Sequence, residues 1–185
     1  MNPPGVGSGA GDTAAGEIVG YCADETATRV LAGRLALLLR PGDVVLLEGD
    51  LGAGKTTFTQ GLAAALGVES GVTSPTFTLM NIYATTAGFD LVHVDVYRLE
   101  RLSEVVDLAL PEMLEDGAVV IVEWGERAAA ALRGSHLHIK IGRGGPDNGG
   151  DHPEEEMART FRLRADGDAW DERRTQLASI AGGGS

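Results

Sequence analysis

Of the 15 basic residues in this chain only Lys55 and Lys140 are lysines. Positive charge is otherwise written as arginine, so a retained lysine marks a place where a compact, mobile ammonium suits better than a planar fork. Cysteine is nearly absent: Cys22 stands alone. That excludes an internal disulfide and a thiolate metal cluster, and leaves a buried, inert thiol as the expected reading. Basic charge is short against 27 acidic residues, for a net charge of −12. The clustered cations that neutralise nucleic-acid phosphates are therefore missing, and any work on nucleic acid is expected to run through a partner. The acidity itself reads as solubility. No apolar run approaches the roughly 20 residues needed to span a bilayer. The opening MNPPGVGSGAGDTAAG has neither the basic nor the apolar region of a secretory leader, so no membrane contact is expected and the cytoplasm is the expected compartment. What remains, 185 residues with 43% hydrophobic, is enough to bury the core of one α/β domain.

The pattern along the chain divides it. Residues 1–16, rich in Gly, Pro, Ala and Ser, read as a disordered arm, and 17–181 as a single domain. A short strand is expected near Glu17–Tyr21. Asp24 or Thr26 then caps a helix with an apolar stripe of Ala27, Leu31, Leu35, Leu38 and Leu39, ended by Pro41-Gly42. Val44–Leu47 is a continuous apolar run, the mark of a strand covered on both faces. A helix follows from about Lys55 to Leu66. Phe77–Tyr83 and Leu91–Asp95 read as strands paired in a hairpin. Helical pieces span Ser103–Leu114, broken at Pro111. Ala118–Trp124, His136–Ile141 and Phe161–Leu163 are further strands, and Trp170–Ile180 is a terminal helix. The Gly-rich, then acidic stretch over 143–157 reads as a disordered insertion.

One segment carries chemistry on its own. From Gly49 to Thr56 the sequence fits G-x-x-x-x-G-K-[ST], between a buried strand and an amphipathic helix. Glycines let backbone N–H groups converge on phosphate oxygens, and the helix that opens behind them adds the positive end of its dipole. Asp50, Leu51, Gly52, Ala53 and Gly54 form the expected cradle, with Lys55, Thr56 and Thr57 opening the helix. Lys55 offers a point charge to β- and γ-phosphates, and Thr56 a hydroxyl to Mg²⁺. The expected ligand is ATP or ADP. The fold implied is a three-layer P-loop NTPase-like α/β architecture on a mixed, mostly parallel sheet.

A phosphate loop needs an acidic partner, and two carboxylates end apolar strands: Asp95 in LVHVDVYRL and Glu123 in VVIVEWGER. Strand ends of that kind face the edge where α/β ligands bind; a lone one is as often a turn residue or a cap. Val96 follows Asp95, where many ATPases place a water-polarising Glu, which points to Glu123 as the metal or catalytic carboxylate. Asp95 is retained beside Lys55 and Glu123 in the expected catalytic set. His93 alternates into its strand and reads as structural. The loop VTSPTF presents the hydroxyls of Thr73, Ser74 and Thr76 around Pro75, which suits either a γ-phosphate sensor or an ordinary Ser-Pro turn. Arg98 and Arg127 lie near strand ends, but no motif marks an arginine finger.

Taken in order, GDLGAGKTTFTQGLAAALGV, VTSPTFTLMNIY, HVDVYRL and VVIVEW resemble the TsaE (YjeE) family, the bacterial ATPase of tRNA threonylcarbamoyladenosine biosynthesis. The resemblance covers roughly residues 17–142. It implies Mg²⁺ held by Thr56 and Glu123, a strand-end aspartate at Asp95, and a switch loop at Ser74, Pro75 and Thr76. It also implies two protein partners, TsaD and TsaB, with tRNA reached only through them, and hydrolysis that regulates or resets that pair. Three rivals stay open. A small-molecule kinase would want an Arg-bearing lid, for which no segment is long enough. A GTPase would want N/T-K-x-D, which neither lysine occupies. A nucleotide-gated binding module would hydrolyse only incidentally. For an adenine pocket, Asp24–Thr26 and the strand around Lys140 are the places to look, and nothing in the sequence chooses between them.

Overall fold

The computed structural model of the chain describes residues 16–99, 102–129, 132, 134–144 and 157–182. Its middle is made of the strands with continuous apolar sequence. β2 (Val44–Glu48), β4 (Leu91–Asp95) and β5 (Val119–Glu123) are buried along nearly their whole length, as strands covered on both faces must be. With β1 (Ile18–Cys22), β3 (Met80–Tyr83), β6 (His136–Arg143) and β7 (Arg159–Asp166) they form one seven-stranded sheet, ordered β1-β7-β6-β2-β5-β4-β3. The central strands β6, β2, β5 and β4 pair in parallel; β3, β7 and β1 join antiparallel at the flanks. This is the mixed α/β sheet read from the sequence, including the β3–β4 hairpin.

Side chains alternate across the sheet and feed two cores. Val45, Leu47 and Ile121 pack with Leu31 and Leu35 of α1 (Glu25–Ala36) and with Phe58 and Leu62 of α2 (Lys55–Ala65). Val44, Leu46, Val120 and Val122 face the other way. They pack with Val105 of α3 (Leu102–Val106) and Leu110 of α4 (Leu110–Glu115). Asp24 caps α1, its carboxylate accepting the Ala27 N–H at 2.7 Å, an arrangement that satisfies one of the helix's orphan donors. No helix among the described residues is long and apolar enough to cross a membrane.

Several boundaries differ from the sequence reading, each for a local reason. β3 begins at Met80 rather than Phe77, because Leu79 takes a φ of +65° and its N–H closes a turn on the carbonyl of Pro75 at 2.6 Å. The helical break falls at 107–109, where Ala109 has a φ of +53°. Pro111 lies inside the first turn of α4, where its missing N–H has no intrahelical partner to lose. β7 extends well beyond Phe161–Leu163. The terminal helix is two pieces, α5 (Asp168–Asp171) and α6 (Arg174–Gly182). Residues 1–15 of the expected arm and 145–156 of the expected insertion lie outside the described residues.

Arg173, between α5 and α6, locks the C-terminal segment to the start of β2. Its guanidinium donates to both carboxylate oxygens of Asp43, at 2.5 and 2.7 Å, and to the carbonyls of Leu38 at 2.7 Å and Ala169 at 2.8 Å. It also lies 3.8 Å from the centroid of the Trp170 ring. Arg173 is 2% exposed and Asp43 6%, so deleting one partner strands a buried charge. Arg173→Ala should lower unfolding free energy by about 3–5 kcal/mol, read as a reduced midpoint in urea with an unchanged slope.

Candidate active site

Strand register sets the site. Asp95 stands opposite Glu123, and Glu123 opposite Leu47, on adjoining parallel strands. Both carboxylates therefore lie at the edge where the chain leaves β2 and enters the glycine-rich loop. That loop ends at Gly54, whose φ of +106° is a conformation a side chain would resist, and α2 starts with the next residue. No side-chain hydrogen bond caps α2 among the described residues, which leaves first-turn amides for another acceptor.

Lys55 is only 5% exposed. Its ammonium donates to the carbonyls of Gly49 at 2.6 Å and Asp50 at 3.0 Å, and sits 3.8 Å from the centroid of the Trp124 ring. Burial pushes it below the ordinary lysine range, while Glu123, Asp95, Glu126 and Asp50 pull it back toward the charged form. Trp124 reaches it from a strained position: its φ is +63°, a conformation that costs a non-glycine residue about 1–2 kcal/mol. Its ring also meets Tyr97, centroids 4.8 Å apart. The next residue must be glycine, because a Cβ on Gly125 would stand 2.8 Å from the Leu46 Cα.

Glu123 is 3% exposed. Its Oε1 accepts from the Thr56 hydroxyl at 2.8 Å and lies 2.9 Å from His93 Nε2; a carboxylate only accepts, so the imidazole nitrogen is the donor. His93 is fully buried, and its Nδ1 has no partner among the described residues. Asp95 is held at both oxygens. Oδ2 accepts from the Thr76 hydroxyl at 2.6 Å, and Oδ1 from the Tyr97 N–H at 2.9 Å. Thr76 spends its single proton on Asp95, so Ser74, 2.7 Å away, donates to Thr76.

These groups surround a cavity of about 390 Å³. Leu51, Gly52, Gly54, Lys55, Thr56 and Thr57 line one side; Ser74, Thr76, Asp95, Tyr97, Glu123 and Trp124 line the other. Asp50 and Ala53 belong to the loop but not to this lining, and Pro75, which is buried, is not part of it either. The sequence reading missed Tyr97, the His93–Glu123 contact and two arginines, Arg143 and Arg159, that hold the loop from outside. Arg98 packs over the Phe77 ring at 4.5 Å; the Arg127 side chain is not among those described. Of the places suggested for a base, Asp24 is engaged as the cap of α1 and Lys140 pairs with Glu48 at 2.6 Å.

The donor set fits a hard cation bound together with phosphate. Thr56 and Glu123 present a hydroxyl and a carboxylate in direct contact. Among the described residues no group of three or more His, Cys, Asp or Glu could hold a metal unaided. Mg²⁺ is commonly held by one or two carboxylates plus substrate phosphates.

The model of the family described as threonylcarbamoyl adenosine biosynthesis protein TsaE matches residues 22–148. The chain belongs to the TsaE family. It is 50% identical over 117 residues to the TsaE protein of Streptomyces coelicolor, covering 62% of this chain and 78% of that one. With Bacillus subtilis TsaE the identity is 46% over 120 residues, 65% of this chain and 74% of that one. The crystal structure of Bacillus subtilis YdiB superposes with a TM-score of 0.67 at 32% identity, covering 88% of this chain and 94% of the other. Every residue lining the cavity lies inside the TsaE match; Arg159 lies beyond it.

The indole on Lys55 gives the site a reporter. In a Trp170→Phe background, adding Mg-ADP should change Trp124 emission, because phosphate draws the ammonium away from the ring. An emission spectrum indifferent to saturating Mg-ADP would remove Trp124 and Lys55 from the ligand's reach.

Proposed function

We propose that this TsaE-family chain is a Mg²⁺-dependent ATPase serving tRNA threonylcarbamoyladenosine biosynthesis in the cytoplasm, where its nucleotide cycle regulates or resets a TsaB–TsaD pair. The observation that carries this reading is the convergence of Lys55, Thr56, Glu123, Asp95 and Thr76 on one cavity at the mouth of the glycine-rich loop. Loop amides and Lys55 would bind the β- and γ-phosphates, and Thr56 with Glu123 would hold the metal. Mg²⁺ would neutralise charge on the phosphate oxygens. Asp95, which accepts from Thr76, would orient an attacking water and take up its proton as the γ-phosphoryl bond to ADP breaks.

The resting contacts support slow turnover by the isolated chain. Lys55 is engaged by the Gly49 and Asp50 carbonyls, Thr56 by Glu123, and Thr76 by Asp95. No glutamate follows Asp95 to polarise water, and a partner-supplied charge can be worth roughly 10³–10⁵ in rate. The net charge of −12 favours contact with tRNA through protein partners rather than directly.

Phosphate release measured with the chain alone should be weak, and should rise strongly on adding TsaB and TsaD but not tRNA alone. Thr76→Ala should lose that stimulation. Fast hydrolysis by the isolated chain, indifferent to the pair, would contradict the proposed role.

A further inference from the structure

The phosphate loop is gripped from outside. Arg143 ends β6 and Arg159 opens β7, opposite each other in antiparallel register. β6 runs parallel to β2, so this end of the hairpin lies at the edge from which the loop departs. Arg143 Nη2 donates to the carbonyl of Leu51 at 2.9 Å, and Arg159 Nε to that of Ala53 at 2.9 Å. Arg159 Nη2 reaches the Gly52 carbonyl at 3.5 Å. The hairpin end is itself fixed: Gly144 donates its N–H to Ala158 at 3.0 Å, and the Thr160 hydroxyl donates to the Gly144 carbonyl at 2.9 Å. The loop has no slack on this side, since a Cβ on Gly49 would stand 2.5 Å from the Ile141 carbonyl oxygen.

A trans peptide is planar, with its C=O and N–H on opposite sides. Carbonyls of Leu51 and Ala53 drawn toward the guanidiniums therefore turn the N–H groups of Gly52 and Gly54 the other way, and both glycines line the cavity. With φ values of +76° and +106°, these glycines have the freedom to let the same peptides flip. A flipped peptide would present a carbonyl dipole where phosphate charge must sit. We propose that Arg143 and Arg159 are positioning residues for the phosphate loop, a paired guanidinium brace that aims the amides of Gly52 and Gly54 at a bound polyphosphate. The brace rests on the reading of Gly49–Thr56 as a phosphate loop. It uses both arginines through the loop backbone rather than as direct phosphate ligands.

The test is calorimetric binding of ADP to the full chain, with amide NMR of Gly52 and Gly54 in its ligand-free state. Arg143→Gln with Arg159→Gln should weaken ADP by about tenfold, the loss of two charge-assisted contacts discounted for partial reordering. The two glycine amides should broaden through conformational exchange. The doubly Lys-substituted chain keeps the charge but lacks the fork, and should recover only part of the affinity. Lys55→Ala serves as the reference for the loop itself. Weakening by Lys55→Ala with wild-type affinity in the double Gln chain would overturn the brace and leave the loop reading intact. Full recovery with lysines would overturn it too, leaving net charge as the cause. Wild-type affinity in both chains would remove the phosphate-loop reading beneath it. If the double Gln chain fails to fold, Arg143→Gln alone, at an exposed residue, should still weaken ADP by about threefold and broaden Gly52; unchanged binding there overturns the brace.

Discussion

The parallel register of β2, β5 and β4 is the constraint on which the site depends. Because Leu47, Glu123 and Asp95 stand abreast, one sheet edge receives both carboxylates and the glycine-rich loop. A slip of one residue would turn every side chain of a strand to the opposite face, taking Glu123 from Thr56 and Asp95 from Thr76. The two apolar cores prevent that slip, since each strand of the three is buried on both sides.

Around this edge the charged groups are paired with their neighbours. Glu123 collects Thr56 and His93; Asp95 collects Thr76 and the Tyr97 amide; Lys55 rests on two loop carbonyls and an indole. Buried charges are costly unless paired, so these contacts stabilise the ligand-free chain. They also hold the groups a nucleotide would engage, so binding exchanges one set of partners for another. Trp124 and Leu79, both at positive φ, flank this exchange. Backbone strain of that kind persists where the surrounding structure fixes it, and it clusters at functional sites.

Much of the central sheet and the loop motif was legible because both are local signals. A continuous apolar run reports a doubly covered strand, and G-x-x-x-x-G-K-T reports its own backbone path. What escaped was non-local. Nothing in the spacing of Arg143 and Arg159 reveals that β6 lies between β7 and β2, and only that order carries them to the loop. His93 and Asp95, two apart on β4, share a face by strand period, but the meeting of His93 with Glu123 depends on β5 lying alongside. Local misreadings had local causes too. Phe77–Leu79 has strand-like composition yet turns at Leu79, and Pro111 looks like a breaker while sitting where a helix accepts it.

The coupling of Glu123 to a phosphate-bound metal is the central claim, and it is measured most directly by titrating ADP with and without Mg²⁺ into the wild-type chain and Glu123→Gln. The amide keeps the size of the carboxylate but loses its charge. The expected result is that Mg²⁺ tightens ADP in the wild-type chain, that Glu123→Gln loses about tenfold or more of that gain, and that metal-free affinity does not fall. A Glu123→Gln chain that retains the full Mg²⁺-dependent gain would contradict the assignment of this sheet edge as the metal–nucleotide site.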